Sequence, residues 1–339
     1  MLVNVITSFA FAGLTAARVQ FIGASITGGD PQCTAGACPP TSGEAQMEHF
    51  AKDNMMNLFR LPISSQSFAS DSQSYDRLVQ SCIATGASCL LSITSALSNT
   101  TNTSSASLWT QLATKYSSTP SILFELSSDS STILQTLITT IRTTGATNPI
   151  LLPATNSPPN LTPLLSLTNP DGTTSNLHLA LHAFLDADCT TNNTATLTEV
   201  ASVLRTAGRK AVITETGAAP GNPLCLVRFC EQNKFVNDNP DVFMGLVSWG
   251  AGGAETEPEA LLSQTPLWEG GRLVDQPLMA QCVVGTWIGS TVGVSKLLQI
   301  GEPEKTGVTV DAPRSGSARL SVPCWVVASV LYFGISGLL

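Results

Sequence analysis

Hydrophobic and polar positions alternate along the chain in a repeating order. Short apolar runs fall at residues 19–24, 58–63, 89–93, 122–126, 150–153, 177–181, 211–213 and 243–247, eight in all. From the second run onward they step by roughly thirty residues, the length of one strand-plus-helix unit. Between them lie stretches with helical spacing, at 75–85, 107–116, 133–144, 197–207 and 226–234. Gly86 and Gly145 each follow such a stretch, where a helix stop favours glycine. Eight strand–helix alternations predict a parallel sheet closed on itself, a single (β/α)8 TIM barrel. A doubly wound open sheet competes with this reading. It usually carries a glycine-rich phosphate turn after its first strand, and Phe21-Ile22-Gly23-Ala24-Ser25 supplies none.

Both ends break the pattern. Residues 1–17 are apolar and finish in small side chains, which reads as a secretory signal peptide cleaved near Ala17. A basic leader is missing, and a buried first helix is the alternative. Residues 322–339 carry no charge and are about long enough to span a bilayer. Ser315, Gly316, Ser317 and Ala318 precede them, the order of a glycolipid-anchor signal whose tail is removed. A plain transmembrane helix is the other reading. The expected organisation is a signal over 1–17, a barrel over 18–288, a flexible stalk over 289–318 and an anchor signal or membrane segment over 319–339.

Composition narrows the function. The 339 residues suit one barrel of ~250 residues with two end segments. Only 12% of residues are charged, about half the usual share, and Ser, Thr and Asn fill the surface instead. A net charge of −8 without any Lys/Arg cluster argues against nucleic acid as a partner. Of nine cysteines, eight lie in the body and Cys324 in the tail. An even body count behind a signal argues for disulfides, and no Cys-x-x-Cys pair suggests zinc. Asn99, Asn102, Asn160 and Asn192 each begin a glycosylation sequon. No cofactor or metal is implied, a monomer is expected, and membrane contact would come only through the C-terminal anchor.

In a barrel, chemistry gathers where the strands finish. The second run ends at Arg60 and the third leads to Thr94. The fourth passes through Glu125 to Asp129, and the sixth carries His182 and Phe184. The seventh ends at Glu215 and the eighth at Trp249. Arginine, histidine, carboxylates and an indole on one rim suit sugar chemistry. A retaining glycosidase needs two carboxyls ~5–5.5 Å apart, one nucleophilic and one acid/base. Arg60, His182 and Trp249 each also fit a packing role. Glu125, inside its run, reads as a hydrogen-bonded group of the barrel interior. Glu215, directly after a buried strand, is poorly placed for packing.

The stretches Phe59-Arg60-Leu61-Pro62, Tyr75-Asp76-Arg77-Leu78, Thr168-Asn169-Pro170-Asp171-Gly172, Ile213-Thr214-Glu215-Thr216-Gly217 and Trp249-Gly250-Ala251-Gly252 resemble fungal endo-β-1,4-glucanases of glycoside hydrolase family 5. The likeness covers roughly residues 19–282. It implies a β-glucan or other polysaccharide as substrate, Glu215 as nucleophile, Arg60 beside it, His182 as an active-site histidine and Trp249 as a stacking platform. It also implies the pairs Cys33–Cys38, Cys82–Cys89, Cys189–Cys225 and Cys230–Cys282. Departures accompany it. The family carries Asn-Glu-Pro where this chain has Ser128-Asp129-Ser130, so Asp129 stands at the acid/base position and Ser128 at that of a substrate-binding asparagine. Thr94 stands at a histidine, and Phe184 at a tyrosine that hydrogen-bonds the nucleophile. Aspartate is one methylene shorter than glutamate, and a misplacement of ~1 Å can cost ~10²-fold in rate. A feeble hydrolase, or a carbohydrate-binding pseudoenzyme at the cell surface, is the expectation.

Overall fold

A computed structural model describes residues 18–28, 38–39, 42–94, 102–156, 158–252 and 264–289. The chain parts into two units, Met1–Leu298 and Gln299–Leu339, and all described residues belong to the first. The expected signal and anchor segments, the stalk beyond Gly289, Cys33 and Asn99 lie outside the described residues.

Eight strands close into a barrel in chain order: β1 Phe21–Ile26, β2 Leu58–Ser64, β3 Ser88–Thr94, β4 Ile122–Glu125, β5 Ile150–Ala154, β6 Leu177–Phe184, β7 Ala211–Gly217 and β8 Phe243–Ala251. All are parallel, and β8 returns to pair with β1 (Ile22↔Leu246, Gly23↔Val247). This is the (β/α)8 TIM barrel expected from the alternation. Its strands run one to four residues past the ends of several apolar runs, where polar residues such as Ser64, His182, Glu215 and Ser248 break the apolar pattern at or before the strand ends.

The helices show why the pattern was readable. Helix α3 (Ser72–Ala84) buries Tyr75, Leu78, Val79 and Cys82. Helix α5 (Ser131–Thr143) buries Leu134, Leu137, Ile138 and Ile141. Helix α7 (Thr194–Ala207) buries Leu197, Val200, Ala201 and Leu204. Each set follows the i, i+3, i+4, i+7 stripe of a helix laid against a sheet. Asp71 and Ser130 cap α3 and α5 by accepting from the Ser74 and Ile133 amides, each cap worth ~1 kcal/mol. The remaining helices are α1 Gly43–Asp53, α2 Ser65–Ser70, α4 Asn102–Tyr116, α6 Thr162–Leu165 and α8 Pro223–Asn237. After β8 come an antiparallel hairpin, β9 Leu267–Glu269 and β10 Arg272–Val274, and a π-helical stretch Leu278–Val284 that continues into α9 Gly285–Gly289. The helical pattern therefore runs on past Cys282, further than the polar composition of the region after it suggests.

Disulfides join Cys82 to Cys89, Cys189 to Cys225 and Cys230 to Cys282. Cys38 is also disulfide-bonded. Asn160 is exposed, whereas the Asn192 side-chain amide donates to Glu231 at 2.6 Å.

Candidate active site

The site is built by strand register. A separate apolar cluster fills the barrel with one residue from each strand: Phe21, Leu58, Leu90, Leu123, Leu151, Ala180, Val212 and Val247. Side chains alternate along a strand, so the next inward position is two residues on. Those positions hold Gly23, Arg60, Ser92, Glu125, Pro153, His182, Thr214 and Trp249. Seven of the eight apolar positions are thus followed toward the rim by a residue with no aliphatic side chain. A β6–β7 register shift adds one more group. Leu181 faces Ile213, but the next β6 residue, His182, faces Glu215, so the strand gains a residue at Thr214. Such a bulge re-aims side chains near sites, and here it sets Glu215 beside His182.

Arg60 is the hub. Its Nε donates to Glu125 Oε2 at 2.5 Å and its Nη2 donates to Ser92 Oγ at 2.9 Å. Its Nη1 lies 2.8 Å from Glu215 Oε1, an ion pair without the alignment of a hydrogen bond. Glu215 Oε2 lies 3.5 Å from His182 Nδ1. The guanidinium carbon sits 5.7 Å from the Trp249 ring centre, and Phe184 meets that indole edge-on at 6.5 Å. Exposure separates the two carboxylates. The Glu125 side chain is 4% exposed and the Glu215 side chain 14%. Phe184 is exposed and Trp249 half-buried, and the two rings meet beside Arg60, the cation that also pairs with Glu215.

The electrostatics follow from one cation serving two acids. Burial pushes Glu125 up, but Arg60 and the Thr214 and Ser92 hydroxyls outweigh it and hold the carboxyl low. Burial and the neighbouring Glu125 charge push Glu215 up, against the pull of Arg60. Burial, helped by Arg60, brings His182 down to about 4, so the imidazole is neutral at ordinary pH. Burial works against the Arg60 charge, and its two carboxylates raise it regardless.

The structure brings Arg60, His182, Glu215, Trp249 and Phe184 together. Glu125 is in the barrel interior, hydrogen-bonded as its position inside the run suggests. Ser92, the ligand of Nη2, was not singled out by the sequence; its place two residues beyond Leu90 is the signal that identifies it. Ser128 and Asp129 lie on the loop between β4 and α5. Ser128 Oγ accepts from the Ser130 amide at 3.1 Å. Asp129 is exposed, and its side chain bonds to none of the described residues. Thr94 ends β3, and its side chain lies outside the described part. Among the described residues no group of His, Cys, Asp and Glu could hold a metal ion.

Comparison with known proteins places this geometry. The family described as Cellulase (glycosyl hydrolase family 5) matches residues 15–252. Endoglucanase EG-II of Hypocrea jecorina is 33% identical over 331 residues, covering 79% of this chain and 78% of that protein. Endoglucanase 1 of Saitozyma flava is 32% identical over 280 residues, 68% of this chain and 78% of that protein. The crystal structure of Cel5A (EG2) from Hypocrea jecorina superposes with a TM-score of 0.68 at 31% identity, over 79% of this chain and 99% of that one.

Proposed function

The chain belongs to glycosyl hydrolase family 5, and from that premise we propose that it is a secreted endo-β-1,4-glucanase-like enzyme that works by retention, with weak activity. The observation that carries the reading is the Glu215 carboxylate, paired with Arg60 at 2.8 Å beside the half-buried Trp249. A carboxylate held next to a cation and under an aromatic wall is suited to attack a sugar ring stacked on that wall. One Glu215 oxygen attacks the anomeric carbon as the bond to the leaving sugar oxygen breaks. Asp129 gives its proton to that oxygen. Asp129 then takes a proton from the water that hydrolyses the glycosyl ester and frees Glu215. Neutral His182 keeps the pocket from gaining a second cation. Weak turnover is expected because Asp129 has a short side chain and no partner among the described residues to aim it. The apolar first residues and the disulfides support secretion, and the uncharged run 322–339 supports a C-terminal anchor signal or membrane segment.

Turnover of an aryl β-cellobioside with a good leaving group, beside a soluble β-glucan, tests these roles. Activated leaving groups need little acid help. Glu215→Ala should abolish both activities. Asp129→Ala should cost ~10²-fold in kcat/KM on the glucan and much less in kcat/KM on the aryl substrate, whose leaving group needs little acid help. Equal kcat/KM losses on both substrates for Asp129→Ala would remove it from the acid role. A second reading, a glucan-binding pseudoenzyme, is favoured by the unpartnered Asp129. It requires β-glucan binding that Trp249→Ala weakens and no turnover of either substrate.

A further inference from the structure

We infer that Glu125 is a positioning residue for the glycosidic reaction: it takes the Nε side of Arg60 and so leaves Glu215 a single end-on contact with that guanidinium. The inference rests on the reading of Glu215 as the nucleophile. Arginine presents five donors in a rigid fork, and a carboxylate gains most from two parallel bonds along one edge. Here the Nε/Nη2 edge is already filled, by Glu125 at 2.5 Å and Ser92 at 2.9 Å. Only Nη1 reaches Glu215. Both partners of the filled edge sit on strands next in order to β2, at facing positions of the β3–β4 ladder (Ser92↔Glu125). The orientation of the guanidinium is therefore set by the barrel itself.

Glu125 is not a second proton donor. It is almost fully buried, hydrogen-bonded and held ionised, so it can neither reach a leaving group nor carry a proton to one. Its effect is on charge. With His182 neutral, the cluster holds one cation and two carboxylates, a net negative charge in a place largely shut off from water. The less buried carboxylate, with the weaker contact, carries the cost, and Glu215 accordingly gains its proton more readily. There is a second consequence along the reaction. When Glu215 becomes a glycosyl ester it loses its charge, and an Arg60 with no other partner would be left buried and unpaired. Glu125 keeps the guanidinium neutralised through that step.

The test uses the full chain labelled with ¹³C at glutamate side-chain carbonyls. The wild type should show one buried glutamate titrating below the ordinary carboxylate range, Glu125, and one above it, Glu215. In Glu125→Gln the Glu215 midpoint should fall by about half a pH unit or more. The acidic limb of kcat/KM on the aryl cellobioside should fall with it. Glu125→Asp retains the charge and should leave the midpoint near that of the wild type. Should Glu125→Gln not fold, the order of the two wild-type midpoints decides alone, and the reverse order overturns the inference. A Glu215 midpoint that stays put in a folded, active Glu125→Gln overturns it while leaving the nucleophile in place. An inactive wild type whose midpoints behave as described overturns the nucleophile, and this role of Glu125 with it.

Discussion

Arg60 shows how a single side chain can tie together two readings of a site, packing and chemistry. It is 2% exposed and bridges three strands, through Glu125, Ser92 and Glu215. Removing it leaves Glu125 as an uncompensated buried charge, and breaking a buried pair from one side costs about 3–5 kcal/mol. Arg60→Met should lose that much in urea unfolding. Arg60→Met with Glu125→Leu should recover most of it, because the orphaned charge goes too. A double variant no more stable than the single one would show that the cost lies elsewhere. At this scale the sequence was readable wherever a polar residue interrupts an apolar run, as Arg60, Glu125 and His182 do. It was silent on who pairs with whom. Ser92 looks like an ordinary strand serine, and only its place opposite Glu125 in the β3–β4 ladder, within reach of Arg60 Nη2, makes it a ligand. Glu215 faces His182 because of a one-residue bulge, which leaves no mark in the sequence.

Elements were legible to the extent that one face of each is apolar. The strands of the barrel are covered on both sides and stand out as short apolar runs. Helices α3, α5 and α7 carry complete stripes and were found. Helix α1 was not among the helical stretches, and its buried positions explain why. They are Gly43, Glu44, Gln46, Met47 and Phe50, so only Met47 and Phe50 put large apolar side chains on its inner face. One of these, Gln46, accepts from the Gly252 amide at 2.7 Å and so fastens α1 to the end of β8. The hairpin β9–β10 has no buried face to leave a pattern. Its signal was local, two glycines between short strands at Gly270 and Gly271, both with positive φ. The π-helical stretch after it is held by Cys230–Cys282, whose partners lie 52 residues apart, against 7 for Cys82–Cys89. The entropy of an open chain grows with the loop closed, so the longer crosslink should stabilise more, by about 2 kcal/mol. Replacing each pair by alanines and comparing thermal unfolding tests this. Equal losses would mean that packing, rather than loop closure, sets the contribution of the bridges.

A barrel is complete only when its first and last elements meet, and the join here is partly ionic. Beyond the β1–β8 ladder, His49 on α1 lies 2.9 Å from Asp275, just before the final helices, and 2.6 Å from Asp53 on its own helix. Asn54 donates to the second Asp275 oxygen at 2.8 Å. The nearby Lys52 pairs with Glu48 on the outer face. The Asp275 hydrogen bond outweighs burial and, with both aspartate charges, raises His49 above its ordinary value of 6.5. A raised histidine favours the folded state fully below that ordinary value, and the gain drains away as pH climbs through the raised one. The melting temperature should therefore fall as pH climbs above about 6.5 and through the raised value. Asp275→Asn should flatten that slope. With Glu215 in its proposed role as nucleophile, its raised carboxyl would act in the opposite sense, since it must lose a proton before it can attack. The two shifts thus act with opposite sign: a raised Glu215 weakens the proposed attack as pH falls, and a raised His49 weakens the join between the barrel's ends as pH rises. A melting profile that keeps rising toward pH 8 in the wild type would show that His49 does not hold that join.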